Sequence, residues 1–228
     1  MFFLCYDLSS DIMKKKIILI VIIVLLIVIG ILTYLGFYFG IIPVKKYSNK
    51  DFGISNYVSK IDKDNDGIDY KTYILENAKK YISTKPKYKI KYYITGYPND
   101  EYGVCTDVVA YALLNSGYDL MELVNADILE NRSSYNIDVV DKNIDFRRVR
   151  NLKIYFEHTT ISLTTDIEKI QEWQGGDIVI FPSHIGIVSD VRNKKGIPYV
   201  IHHANPYQLR YEEDILEKKE VVGHFRIT

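Results

Sequence analysis

The sequence predicts an α+β domain preceded by one transmembrane helix. Three observations lead there. Residues 17–42 form an apolar run without a single charge. Helical spacings dominate residues 70–157, and from residue 177 the period changes to two, as in strands. No strand–helix–strand alternation occurs, so N-terminal helices are expected to pack on an antiparallel sheet.

The chain has 228 residues, enough for one domain of ordinary size plus an accessory segment. Lys+Arg and Asp+Glu number 29 each, so net charge points to no polyanionic partner such as nucleic acid. Residues 1–16 read as a short cytoplasmic N-terminus. Residues 17–42 exceed the ~20 apolar residues that cross a bilayer. They also exceed a signal-peptide core of ~7–15 residues, and no small-residue cleavage site follows. Tyr34, Phe37 and Tyr38 suit an interfacial aromatic belt. The expectation is a single-pass anchor in a bacterial cell membrane, with the bilayer as one partner. The triplet Lys14, Lys15 and Lys16 places the N-terminus inside and the C-terminal domain outside, although Lys45, Lys46 and Lys50 nearly balance it. Cys5 then lies across the membrane from the domain, which folds without disulfides.

Residues 43–60 are polar and aperiodic and read as a linker; residues 61–228 are the domain. It opens on Asp62, Asp64 and Asp66, alternate carboxylates followed by Gly67, as at the start of a calcium loop. Position twelve of such a loop is Tyr73 instead of a bidentate Glu, so the segment reads as a turn capping the next helix. Residues 70–83 have helical spacing. Residues 79–91 carry six lysines among tyrosines, a solvated face or a contact for anionic wall polymers. Residues 105–116 form an apolar helix closed by Gly117, residues 119–131 a second, and residues 143–157 a third with Leu152, Tyr155 and Phe156 inward. Residues 177–181, 184–189, 199–203 and 221–227 read as strands. The 20 tyrosines would suit a sugar- or peptide-binding surface, and an AT-rich coding bias would give the same excess.

Chemistry concentrates on Cys105, the lone cysteine of the domain. It opens a helix, where unpaired N–H groups and the dipole are expected to stabilise a thiolate and lower its pKa. His184 starts a strand, and a hairpin that pairs Asp190 with Gly196 sets it opposite His202. A one-residue slip would put His203 there. A thiol, an imidazole base and a third group orienting that base form the logic of a nucleophilic triad. A zinc site from the same three residues ranks low, because no short-spaced ligand pair is present; the chemistry needs no cofactor. Arg147 and Arg148 are candidates for bidentate capture of a substrate carboxylate, or else for a structural ion pair.

In order, GVCTD, GGDIVIF, HIGIVSD and the Ile201-His202 pair resemble the NlpC-type cell-wall cysteine peptidases of the papain-like class. More narrowly, residues from about 60 to 228 resemble the bacterial family called domain of unknown function 1287, through DKDNDGID, YPNDEYGVCTDVV, NIDFRRVRNL, GGDIVIF, HIGIVSD and GHFR. The resemblance implies a papain-like fold and a Cys105–His184–His202 triad that cleaves an amide in peptidoglycan stem peptides, with His184 as base and then acid. It also implies an upstream tyrosine near the nucleophile, at Tyr93 or Tyr97, of which Tyr97 is the substrate-binding candidate. Two departures stand out: Cys-Thr-Asp replaces the Asp-Cys-Ser of many such enzymes, and a second histidine follows the third position. A non-catalytic module of the same fold that binds wall peptide or glycan is the competing expectation.

Overall fold

The computed structural model describes residues 2–39, 41–59 and 70–227, which divide into two compact units, Met1–Val44 and Lys45–Thr228. The first unit is helix α1 (Phe2–Tyr38). Its Met13–Tyr38 stretch has a mean hydropathy of 3.4 and buries no side chains within the protein. By length and composition it fits a membrane span, and a signal sequence equally. The helix stops short of the predicted residue 42. The Ile42 N–H donates to the Gly36 carbonyl at 3.0 Å, satisfying an acceptor that the helix end leaves open.

The second unit begins with helix α2 (Tyr70–Ser83), which buries Tyr70, Ile74 and Ala78 along one face. A two-residue parallel ribbon follows, β1 (Lys87–Tyr88) against β2 (Tyr102–Gly103). Next come α3 (Cys105–Leu114), α4 (Leu120–Glu130), α5 (Lys142–Asp145) and α6 (Val149–Thr159). The remaining strands are β3 (Ile161–Ser162), β4 (Ile178–Phe181), β5 (His184–Arg192), β6 (Pro198–Ile201), β7 (Glu212–Glu213) and β8 (Gly223–Arg226). They form one antiparallel sheet in the order β3-β8-β4-β5-β6-β7. The α+β class and the antiparallel sheet therefore match the expectation.

Strand alternation splits the core. Ile178 and Ile180 of β4 join Ile185 and Ile187 of β5 against the helices, where Val108, Leu113, Leu152 and Phe156 meet them. Val179, Phe181 and Val188 face the other way and pack on Trp173, Ile215 and Leu216. Both faces of the central strands are thus covered.

Two expectations change. The single helix expected over residues 143–157 is broken into α5 and α6 at Phe146, Arg147 and Arg148. The break lets Arg147 turn inward, and Asn151 donates to the Asp145 carbonyl at 3.0 Å. Residues 43–60 are also not a free linker. Tyr47 exchanges both backbone hydrogen bonds with Arg192, at 3.0 and 2.8 Å. Buried Asn49 reaches Gln174 at 3.2 Å, and Gln174 donates to the Ser55 carbonyl at 3.1 Å. This strap closes over the Arg192 guanidinium, which is 1% exposed. Arg192 donates to Asn49, to the carbonyls of Ile170 (3.0 Å) and Gly196 (2.5 Å), and to that of Trp173 (2.5 Å). Burial lowers its pKa to about 10, so it stays charged at neutral pH.

Arg192→Ala strands these acceptors in the interior. It is expected to destabilise the folded unit by about 3 kcal/mol in guanidinium unfolding and to expose residues 47–57 to limited proteolysis. A loss below about 1 kcal/mol with unchanged proteolysis would place the strap's anchorage elsewhere.

Candidate active site

Cys105 is the first residue of α3, and the residues behind it explain why the helix starts there. Val104 is extended, and its N–H donates to Asp107 Oδ2 at 2.8 Å, closing the first turn. Asp107 is fully buried, and Arg147 grips it with Nε on Oδ1 (2.6 Å) and Nη2 on Oδ2 (2.9 Å). Thr106, Val108, Val109 and Ala110 are buried too, while Cys105 itself is half-buried.

The thiol is free, and the backbone N–H groups of Ile185, Thr106 and Cys105 itself act on it in the direction that lowers its pKa. These favour a thiolate, as the sequence leads one to expect. Burial acts the other way and prevails, with Asp107 adding repulsion, and the pKa is pushed up to about 11. The expected lowering of the thiol pKa is therefore corrected. The helix start is present, but the half-buried thiol is desolvated enough to outweigh the N–H groups.

Ile185 follows His184, so one of the backbone groups acting on the sulfur is next in sequence to the imidazole, while the two side chains take opposite faces of β5. His184 Nε2 lies 3.0 Å from His202 Nδ1, with the two rings nearly perpendicular. The register that produces this differs from the expected one. Ile187 pairs with Ile201 and Val188 with Val200, while an irregularity before Arg192 absorbs the extra residues. The slip is two residues, not one. Parity survives it, so His202 still shares the face of His184, as its diagonal neighbour.

Gly186 makes that approach possible. A Cβ there would stand 2.5 Å from Val200 Cγ1, 2.8 Å from the Ile201 carbonyl oxygen and 3.2 Å from His202 Cβ. No side chain fits between the strands at this point.

His202 is held from behind. Its Nε2 lies 3.2 Å from Glu213 Oε2, and Gln208 Nε2 donates both to that carboxylate oxygen (3.0 Å) and to the His202 carbonyl (3.2 Å). A neutral His202 that donates from Nε2 to Glu213 has only an acceptor left at Nδ1. Nε2 of His184 must then carry the proton between the rings, leaving its Nδ1 as a bare lone pair. Burial, with smaller contributions from His202, Lys219 and His203, lowers the His184 pKa to about 3, so the ring is neutral at physiological pH. At rest, thiol and imidazole are both uncharged.

The other candidate residues are placed differently. His203 turns away from His184 to the rings of Tyr88 and Tyr211, with centroids 5.3 and 5.0 Å apart, and its Nδ1 is buried without a partner among the described residues. Arg147, one of two candidates for carboxylate capture, is committed to Asp107, to the Lys91 carbonyl (2.7 Å) and to the face of Tyr93. Arg148 is exposed and lies 3.6 Å from Asp145. Tyr97 is packed on Tyr111 and Phe146, and its hydroxyl donates to Asp119 (2.8 Å), the N-cap of α4. The Tyr93 hydroxyl donates to Asp100 at 2.7 Å. The tyrosine that bears on the sulfur is instead Tyr88 on β1, whose pKa is raised by burial and then by Cys105. Tyr88, Gln208 and Glu213 had no signal in the sequence beyond their residue type. Asp62, Asp64 and Asp66 lie outside the described residues. Among the described residues, no group of three or more His, Cys, Asp or Glu is disposed to hold a metal ion.

A family model described as Domain of unknown function (DUF1287) matches residues 75–227. The chain belongs to this family. In the DUF1287 domain, Cys105, His184 and His202 all fall within the matched region, as does the Asp107–Arg147 pair. A relative in Escherichia coli (strain K12), Uncharacterized protein YijF, is 35% identical over 166 residues, covering 67% of this chain and 80% of YijF. No solved structure matches the DUF1287 chain.

Two measurements probe the geometry. In a Cys5→Ser background, alkylation of Cys105 by iodoacetamide is expected to be slow at pH 7 and to climb with pH toward about 11. Rapid labelling at neutral pH would mean that the N–H groups outweigh burial. Gly186→Ala is expected to push β6 away and to cost about 2–4 kcal/mol in chemical unfolding. The His184–His202 contact should go with it, visible as a changed pair of imidazole NMR signals. An alanine that leaves both unchanged would refute the role given to Gly186.

Proposed function

We propose that this protein is a membrane-anchored, extracytoplasmic cysteine amidase or endopeptidase with a papain-like, NlpC-type domain, acting on amide bonds of peptidoglycan stem peptides. The observation that supports the reading is a His184–His202 pair backed by Glu213, whose strand neighbour Ile185 acts on the free thiol at the start of α3. In this reading residues 17–42 anchor the chain and residues 1–16 stay inside.

The chemistry follows from the proton order. Cys105 Sγ attacks the carbonyl carbon of the scissile amide while its proton passes to His184 Nδ1. Burial opposes each charge alone; a thiolate and an imidazolium created together offset each other once substrate draws the two groups within hydrogen-bond reach. The developing oxyanion is met by backbone N–H groups at the start of α3. His184 returns the proton to the leaving amine, giving a thioester and a free amine. Water, deprotonated by the same nitrogen, then releases the acid and restores the thiol. His202 and Glu213 hold the ring through both transfers.

A second reading is favoured by the raised thiol pKa. A half-buried neutral thiol is also what a non-catalytic module binding wall peptide or glycan would carry.

Digestion of purified muropeptides followed by mass analysis separates the two. Wild type is expected to release a new free amine and carboxylate, Cys105→Ala none, and His184→Ala about 10²–10⁴-fold less. Muropeptide binding without cleavage would establish the second reading, and cleavage that survives Cys105→Ala would remove the first.

A further inference from the structure

A cavity of about 260 Å³ opens beside the β1–β2 ribbon. It is smaller than the ~300–1,000 Å³ of drug-sized ligand sites, so it suits one ring better than a chain. Tyr81, Tyr102 and Tyr111 line it together with Asp100 and Glu101. Tyr81 and Tyr111 stack with centroids 5.0 Å apart. The Tyr111 hydroxyl is engaged with the Pro98 carbonyl. The hydroxyls of Tyr81 and Tyr102 have no hydrogen-bond partner among the described residues. Each can therefore both donate to and accept from a ligand.

Charge decides the ligand class. Lys91 Nζ lies 2.5 Å from Asp100, and Lys87 Nζ lies 3.1 Å from Glu101. Lys89 stands over the ring of Tyr102. An ammonium ligand would have to displace a lysine, and an anion would face two carboxylates. A neutral ligand rich in hydroxyls meets neither obstacle. Its C–H faces suit tyrosine rings, and its O–H groups suit the open hydroxyls and the carboxylate oxygens.

Position supplies the link to the reaction centre. Tyr102 precedes Cys105 by three residues, and its strand pairs with the one that holds Tyr88, whose pKa is raised by burial and then by Cys105. At about 3.3 Å per extended residue, the cavity wall and the thiol lie roughly 10 Å apart along the chain.

We propose that this cavity is a saccharide subsite. It holds one pyranose ring of the glycan strand while an amide of the attached stem peptide reaches Cys105, a placement that rests on the amidase reading of the site above. The substrate is then the glycan-linked stem, not free peptide.

The test is calorimetric titration of the full-length chain in detergent micelles with a trimer of N-acetylglucosamine. Saturable binding is expected, weakened about five-fold or more in Tyr81→Phe and in Tyr102→Phe, each of which removes one hydroxyl. It is expected to be unchanged in Cys105→Ala and absent for the cationic, deacetylated trimer. Melting temperatures matching wild type would show that the Phe variants keep their fold. No saturation at millimolar sugar, indifference to both Phe variants in folded protein, or preference for the cationic trimer would overturn the proposal. Muropeptide cleavage without trimer binding removes the subsite and leaves the amidase; trimer binding without cleavage keeps the subsite and removes the amidase.

Discussion

The site depends first on the buried carboxylate of Asp107. It closes the start of α3 through the Val104 N–H and accepts both arms of the Arg147 fork. Arg147 in turn ties down the Lys91 carbonyl and lies against Tyr93. One ion pair therefore fixes where the helix begins, where the preceding loop runs and where the chain breaks between α5 and α6. A buried pair of this kind repays its desolvation poorly in stability and more reliably in specificity. Here the specificity is positional: α3 can start at only one residue, and that residue is the cysteine. The same negative charge opposes a thiolate, adding to the burial that chiefly raises the thiol pKa.

Protonation at the site follows one cause. Burial raises the thiol and lowers the imidazole, and the backbone donors around the sulfur do not reverse it. The pair is neutral at rest, and the order of protons runs from Glu213 through His202 to His184. A carboxylate at one end leaves a lone pair at the other, which is a stricter requirement than proximity alone. The Glu213 side chain is 36% exposed while His202 is 2% and His184 9% exposed, so the line is most open at the carboxylate end.

Periodicity carried much of this architecture in the sequence. Helices α2, α3 and α4 and strands β4, β5, β6 and β8 each hold enough alternation to be read. Strands β1, β2, β3 and β7 have two residues each, too few to show a period. The histidine pairing was legible as parity but not as register, because the irregularity ahead of Arg192 leaves no mark on the pattern of apolar residues. The break at Arg147 depends on a carboxylate 40 positions away, and the strap at Tyr47 on an arginine 145 positions away. Cys105 at a helix start was readable; its partial burial was not, since exposure is a property of packing and dipole position is a property of order along the chain.

The remaining family motifs explain how the site is measured out. Asp177, of GGDIVIF, accepts the Gln174 N–H (2.9 Å), His224 Nε2 (3.1 Å) and both arms of Arg226 (2.7 Å each), with Lys71 Nζ at 3.9 Å. His224 and Arg226 come from GHFR, and the His224 ring stacks on Trp173 with centroids 3.8 Å apart. Gly176, at φ 90°, gives this knot room: a Cβ there would lie 2.6 Å from the Lys71 carbonyl oxygen. From the knot, β4 runs four residues and returns as β5, with Ile178 opposite Ile187 and Phe181 opposite His184. The Val188 N–H donates to the Asp177 carbonyl at 2.8 Å. Clamping Asp177 therefore clamps the register of the hairpin, and the hairpin register sets where His184 stands relative to α3. A residue on the far side of four paired positions thus positions the imidazole without touching it, which is why GGDIVIF and GHFR accompany HIGIVSD in one chain.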